Sequence, residues 1–147
     1  LVGWSLGGLL AREFARDCPE HVRDVVTLGS PLRLRASDPP DLTNVGSIYQ
    51  ALRPLHDPTF MNPPRETASP QIPCPSTSIY SRSDGIVPWR SCLDDADETH
   101  ENVEVVASHC GLGVNPLSVS IVLDRLVQRE GEWRPYVARN RLGACHW

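Results

Sequence analysis

The sequence predicts an α/β fold of mostly parallel strands with flanking helices, and three observations carry that expectation. The N-terminal stretch LVGWSLGGLLAREFARDCPEHVRDVVTLG reads as strand end, tight turn, helix and strand, which together make one βαβ unit. Two further short runs, STSIYS and VEVV, each give way to a polar turn, as strands of such a sheet do. A second helix with its own start signal follows the last of them. At 147 residues the chain is long enough for one sizeable core and too short for two ordinary domains.

Leu1 and Val2 read as the last residues of a strand. After Ser5, Leu6, Leu10 and Phe14 recur at i, i+4 and i+8 with Leu9 beside them, which is helical spacing. Cys18-Pro19 ends that helix, because the residue before a proline avoids the helical region. Val22 to Leu28, closed by Gly29, is rich in β-branched residues and reads as a buried parallel strand. From Pro31 to Pro75 the character changes, and ten of the chain's 14 prolines fall there. Residues 31–75 are therefore expected to form an insertion over the sheet. Within it, Val45, Ile48, Tyr49 and Leu52 after Thr43-Asn44 suggest one short amphipathic helix. Regular structure resumes with a strand over Ser76–Ser81 and a turn at Arg82-Ser83-Asp84-Gly85. The next strand is expected over Val103–Val106, followed by Ala107-Ser108-His109. Asn115-Pro116 supplies a cap and a first-turn proline. Val119, Val122, Leu123, Leu126 and Val127 then follow at helical spacing up to Gly131.

Composition removes several function classes. The net charge of −4 and the lack of a basic block argue against a nucleic-acid partner. No apolar run approaches the length of a transmembrane segment. The five cysteines form no C-x-x-C pair, so neither a zinc site nor a dense disulfide framework is expected, and buried free thiols are the favoured reading. All 14 basic residues are arginine. Without lysine there is no Schiff base, no P-loop lysine and no Ser-Lys dyad, so a nucleophilic serine here needs histidine as its base.

Gly3-Trp4-Ser5-Leu6-Gly7 spells G-x-S-x-G, a pattern that arises by chance at roughly 3 in 10,000 positions. Its neighbours decide its meaning. Ser5, Asp84 and His109 each follow a predicted strand, at the sheet edge where ligands gather in open α/β folds. A serine hydroxyl is a weak nucleophile at neutral pH and needs an imidazole to take its proton. His109 is the candidate base. Asp84 is the candidate partner that fixes its tautomer and stabilises the imidazolium. Gly3 and Gly7 are expected to permit the sharp turn. The Leu6 backbone N–H, at the helix start, is the expected oxyanion donor, typically worth roughly 3 kcal/mol of barrier.

The stretches GWSLGG, VVTLGSP, IYSRSDGIVPW and SHCGLGVNP, with the order Ser…Asp…His, resemble the α/β-hydrolase family, and more narrowly its bacterial esterase and lipase-like members. The resemblance runs from Leu1 to about Tyr136, apart from the proline-rich middle. It implies Ser5 as nucleophile, Asp84 as acid and His109 as base, a lid within residues 31–75, and an ester or lipid small-molecule substrate with no metal or cofactor. The family's sheet has strands before the nucleophile turn, and a loop after one of them gives the second oxyanion donor. The chain, a single partial domain over residues 1–147, is thus expected to be the C-terminal portion of a longer hydrolase. It opens at Leu1 with Met61 as its one methionine, so compartment stays open, as does oligomeric state.

Blander roles stand beside these. Ser5 could be a helix N-cap, Asp84 an ordinary turn aspartate and His109 a loop histidine beside Cys110. Asp94, Asp95 and Asp97 read as a solvated acidic face. His21, His56, His100 and His146 follow no strand end. Two alternatives to ester hydrolysis remain: an acyltransferase using the same triad, and an inactive fragment or interaction module that retains it.

Overall fold

The structure, a computed structural model, describes residues 1–33 and 71–137. Four strands form one sheet in sequential order: β1 (Val2–Trp4), β2 (Val25–Leu28), β3 (Ser76–Tyr80) and β4 (His100–Glu104). All three pairings are parallel. All four C-terminal ends therefore share one edge of the sheet. β2 is buried along its whole length, as expected of a strand covered on both faces. Its side chains alternate between two small cores. Val26 and Leu28 join Ile79, Val105, Leu112 and Ile121 on one face. Val25 joins Ala15, Val22, Ile72 and Cys74 on the other.

Helix α1 (Leu6–Asp17) connects β1 to β2, and its end is closed by the Cys18 N–H on the Phe14 carbonyl at 2.8 Å. Helix α2 (Pro116–Leu126) starts at Asn115, whose side chain accepts from the Leu117 and Ser118 N–H groups at 2.9 and 3.2 Å. It ends at Leu126, before Gly131, which takes φ 77° in a later turn.

Three features correct or extend the sequence reading. The first is that the apolar stripes of both helices are largely exposed, although Val122 packs partly buried against the core. α1 buries Gly8, Arg12 and Ala15 and leaves Leu10 and Phe14 about half exposed; α2 buries Ser118, Ile121 and Arg125 and turns Val119, Leu123, Leu126 and Val127 outward. Close approach explains α1. A Cβ on Gly8 would sit 2.0 Å from the Ser30 hydroxyl and 3.1 Å from the Thr27 Cβ, so only a small residue fits there.

The second correction concerns β4, which begins three residues earlier than its β-branched run. His100, Glu101 and Asn102 pair with Ser76, Thr77 and Ser78. Their side chains bind Asp97, Arg125 and the Asp94 backbone, so polar contacts replace apolar ones along this edge.

The third is the acidic run, which is a solvated face at Asp95 and Asp97, as expected, but not at Asp94. Asp94 is buried against Arg12, and Asp95 pairs with Arg33. Asp97 accepts from Gln71 and from the N–H groups of Thr99 and His100. The Thr99 N–H, with the His100 side chain, holds the Asp97 carboxyl down to about 2.

The insertion 31–75 and its expected helix near Ile48 lie largely in residues 34–70, outside the described residues. No helix among the described residues is long and apolar enough to cross a membrane.

Candidate active site

Ser5 stands between β1 and α1 with φ 53° and ψ −124°, and among the described residues it is the one non-glycine with positive φ. That conformation is costly for an L-residue and persists only where its surroundings enforce it. Two features do so here. The Ser5 N–H extends the ladder onto the Leu28 carbonyl at 2.8 Å, while α1 begins at the next residue. Beneath the turn, a Cβ on Gly3 would lie 2.5 Å from the Gly7 oxygen and from the Gly8 Cα. Gly3 is thus sterically required. Gly7 is not, because a Cβ there would meet nothing; the second required glycine is Gly8. Ser5 occupies the N-cap position, yet its side chain makes no capping bond. Leu6 is the first helical residue, and first-turn N–H groups have no partner within a helix.

Asp84 is buried in the turn after β3, and its two carboxylate oxygens have separate tasks. Oδ1 accepts from the Ile86 and Val87 N–H groups at 3.0 and 2.6 Å, which is the turn role. Oδ2 lies 2.8 Å from His109 Nδ1. His109, equally buried, also donates its backbone N–H to the Asp84 carbonyl at 3.0 Å. With Nδ1 engaged by a carboxylate, the ring presents Nε2 as the free position.

Trp4 links this pair to the nucleophile turn. Its indole N–H donates to the His109 carbonyl at 3.1 Å, and the two rings lie 5.3 Å apart. The structure thus joins Asp84 directly to His109 and joins His109 to Trp4, the residue before Ser5. No hydrogen bond joins Ser5 to His109 among the described residues. In unliganded enzymes such bonds commonly tighten only when substrate arrives.

Gly29 escapes sequence reasoning, which reads it as a strand terminator. At φ 56°, a Cβ there would lie 2.7 Å from Leu112, 3.0 Å from Asp84 Oδ2 and 3.2 Å from His109 Nδ1. Its missing side chain makes room for the pair. The available signal is the turn GSP directly after a buried strand. Burial pushes the nearby Cys92 thiol up to about 12, and the Asp84 charge adds to the effect. Cys74 is raised by burial, and Cys110, next to His109, is exposed. Among the described residues no group of His, Cys, Asp and Glu is arranged to hold a metal ion.

No family model matches the chain, and no curated protein matches it. Solved structures do. A Mycobacterium tuberculosis H37Rv protein described as a non-heme bromoperoxidase, BpoC, is 19% identical with a TM-score of 0.56, over 84% of this chain and 64% of that one. An α/β superfamily hydrolase from Oenococcus oeni PSU-1 is 16% identical, TM-score 0.53, over 86% and 64%. Mouse α/β hydrolase domain-containing protein 10 is 16% identical, TM-score 0.54, over 86% and 62%. At these identities the likeness concerns the fold. The chain spans less than two thirds of each of these proteins, and its four parallel strands with flanking helices have the fold of the corresponding part of those α/β-hydrolase structures.

Proposed function

We propose that the chain carries the nucleophile, base and acid of a serine hydrolase that cleaves carboxylic esters through an acyl-enzyme. The observation that carries this reading is the buried 2.8 Å contact between Asp84 Oδ2 and His109 Nδ1, at the same sheet edge as the strained Ser5. Ser5 Oγ attacks the ester carbonyl while His109 Nε2 takes its proton. Asp84 stays ionised, holds the tautomer and stabilises the imidazolium. The Leu6 N–H donates to the oxyanion of the tetrahedral intermediate. His109 then protonates the leaving alcohol and later activates water, which releases the acid and restores Ser5. An acceptor alcohol in place of water would make the same cycle an acyl transfer.

The experiment is labelling of the full chain with an alkyl fluorophosphonate followed by peptide mapping. The reading predicts modification of Ser5, lost in Ser5→Ala. Labelling that survives Ser5→Ala overturns the assignment.

A second reading has its own observation, the coverage of 62–64% of the hydrolase-fold structures. On that reading the chain is a non-catalytic fragment or interaction module that keeps the triad. Turnover of p-nitrophenyl acetate by the 147-residue chain, abolished by His109→Ala, excludes it; no turnover favours it.

A further inference from the structure

The loops bearing Asp84 and His109 leave the sheet side by side. Their strands' ladder closes with the Val105 N–H on the Tyr80 carbonyl at 2.9 Å. One residue further on, the hydroxyl of Ser81 takes over from the backbone. It donates to the Ala107 carbonyl at 2.7 Å and accepts from the Ala107 and Ser83 N–H groups, both at 3.1 Å. A hydroxyl has one donor and two lone pairs, and all three are used. Ser81 itself is 1% exposed, so its hydroxyl depends on these three partners. Ala107 lies two residues before the base, and Ser83 lies one before the acid.

We propose that Ser81 is a positioning residue, whose hydroxyl clamps the acid loop to the base loop and so holds Asp84 Oδ2 against His109 Nδ1. This rests on the reading of Ser5, Asp84 and His109 as one catalytic unit. Removing the hydroxyl strips three backbone groups, the Ala107 N–H and carbonyl and the Ser83 N–H, of their partner and frees the two loops to separate. A displacement of about 1 Å is enough to cost roughly 100-fold in rate. The loss falls on the chemical step, since Ser81 is buried away from substrate. The imidazolium also loses part of its carboxylate support, so the acid limb of the rate profile moves to lower pH.

The test compares the full chain with its Ser81→Ala and Ser81→Thr variants. One readout is the far-downfield proton resonance of His109 Nδ1–H on Asp84. The other is p-nitrophenyl acetate hydrolysis across pH. Ser81→Ala should broaden or lose the resonance, lower kcat by about 10- to 100-fold with KM nearly constant, and shift the acid limb down. Ser81→Thr, which keeps the hydroxyl, should restore all three. An unchanged resonance and kcat in Ser81→Ala overturns the proposal, as does a fall in kcat with an unmoved acid limb and no rescue by threonine. Should Ser81→Ala not fold, Ser81→Cys fills the same space with a weak hydrogen-bonding group and reports on the same bonds. If the wild-type chain neither turns over ester nor labels at Ser5, the functional reading fails, while the resonance comparison still decides the role of Ser81.

Discussion

Each helix shows two faces that contradict the usual division of labour. Toward the sheet, α1 presents Gly8, Arg12 and Ala15, and α2 presents Ser118, Ile121 and Arg125. Away from it stand Leu10 and Phe14 on one helix, and Val119, Leu123 and Leu126 on the other. The inner faces work because their arginines are paired. Arg12 binds Asp94, with Nη2 3.1 Å from Oδ1, and donates to the Ser76 hydroxyl at 3.1 Å. Arg125 donates to Glu101 at 2.8 Å and to the Arg134 carbonyl at 2.6 Å. A buried charge with its partners in place is tolerated, while the same charge stripped of one partner is costly. On α2, Val119, Val122 and Leu123 line an apolar groove of about 270 Å³ together with Val2 and Trp4 of β1 and Leu28 of β2. The lesson is that an apolar stripe marks a face fit for packing without saying what packs there.

The contrast breaks first at its strongest point. Asp94→Ala leaves Arg12 buried without its carboxylate and should cost about 3–5 kcal/mol in urea unfolding. A loss under 1 kcal/mol would mean that Arg12 reaches solvent. Next, Ile121→Ala removes the one fully buried apolar side chain of α2 and should cost about 2–5 kcal/mol. Leu10→Ser and Leu123→Ser, on the outer stripes, should each stay within about 0.5 kcal/mol. Equal losses at Ile121 and Leu123 would invert the assigned faces.

The last effect, absent at neutral pH, is a pH dependence. Unfolding returns Cys92 from about 12 to its ordinary 9.0, so the unfolded chain loses that proton first as pH rises. The contribution of Cys92 is complete below pH 9 and is lost between pH 9 and about 12. A Cys92→Ala chain should show a flatter stability profile across that window, measured by urea midpoints.

The sheet's parallel order and the strand-end positions of Ser5, Asp84 and His109 are legible in the sequence, because short β-branched runs and punctuating glycines mark each strand. The helix N-cap at Asn115 is legible for the same local reason. What is hidden depends on partners far away in the chain. Arg12 reads as a surface residue until Asp94, 82 positions later, is seen beneath it. The first half of β4 looks like a loop because His100, Glu101 and Asn102 satisfy themselves through side-chain bonds. Gly29 reads as a strand terminator and Ser81 as a last strand residue, since their work lies in contacts with loops far away in the chain. Gly7 shows the reverse error: a motif glycine given a steric duty that belongs to Gly8.

Most directly at stake is whether Asp84, His109 and Ser5 act as one unit. The measurement is the rate of fluorophosphonate labelling at Ser5 in the wild-type chain, Asp84→Asn, His109→Ala and the double variant. Each single change should slow labelling by about 10³–10⁴-fold, with the double variant no slower than His109→Ala alone, because a broken unit cannot be broken twice. Losses that multiply in the double variant, or single variants that label at the wild-type rate, would contradict the account.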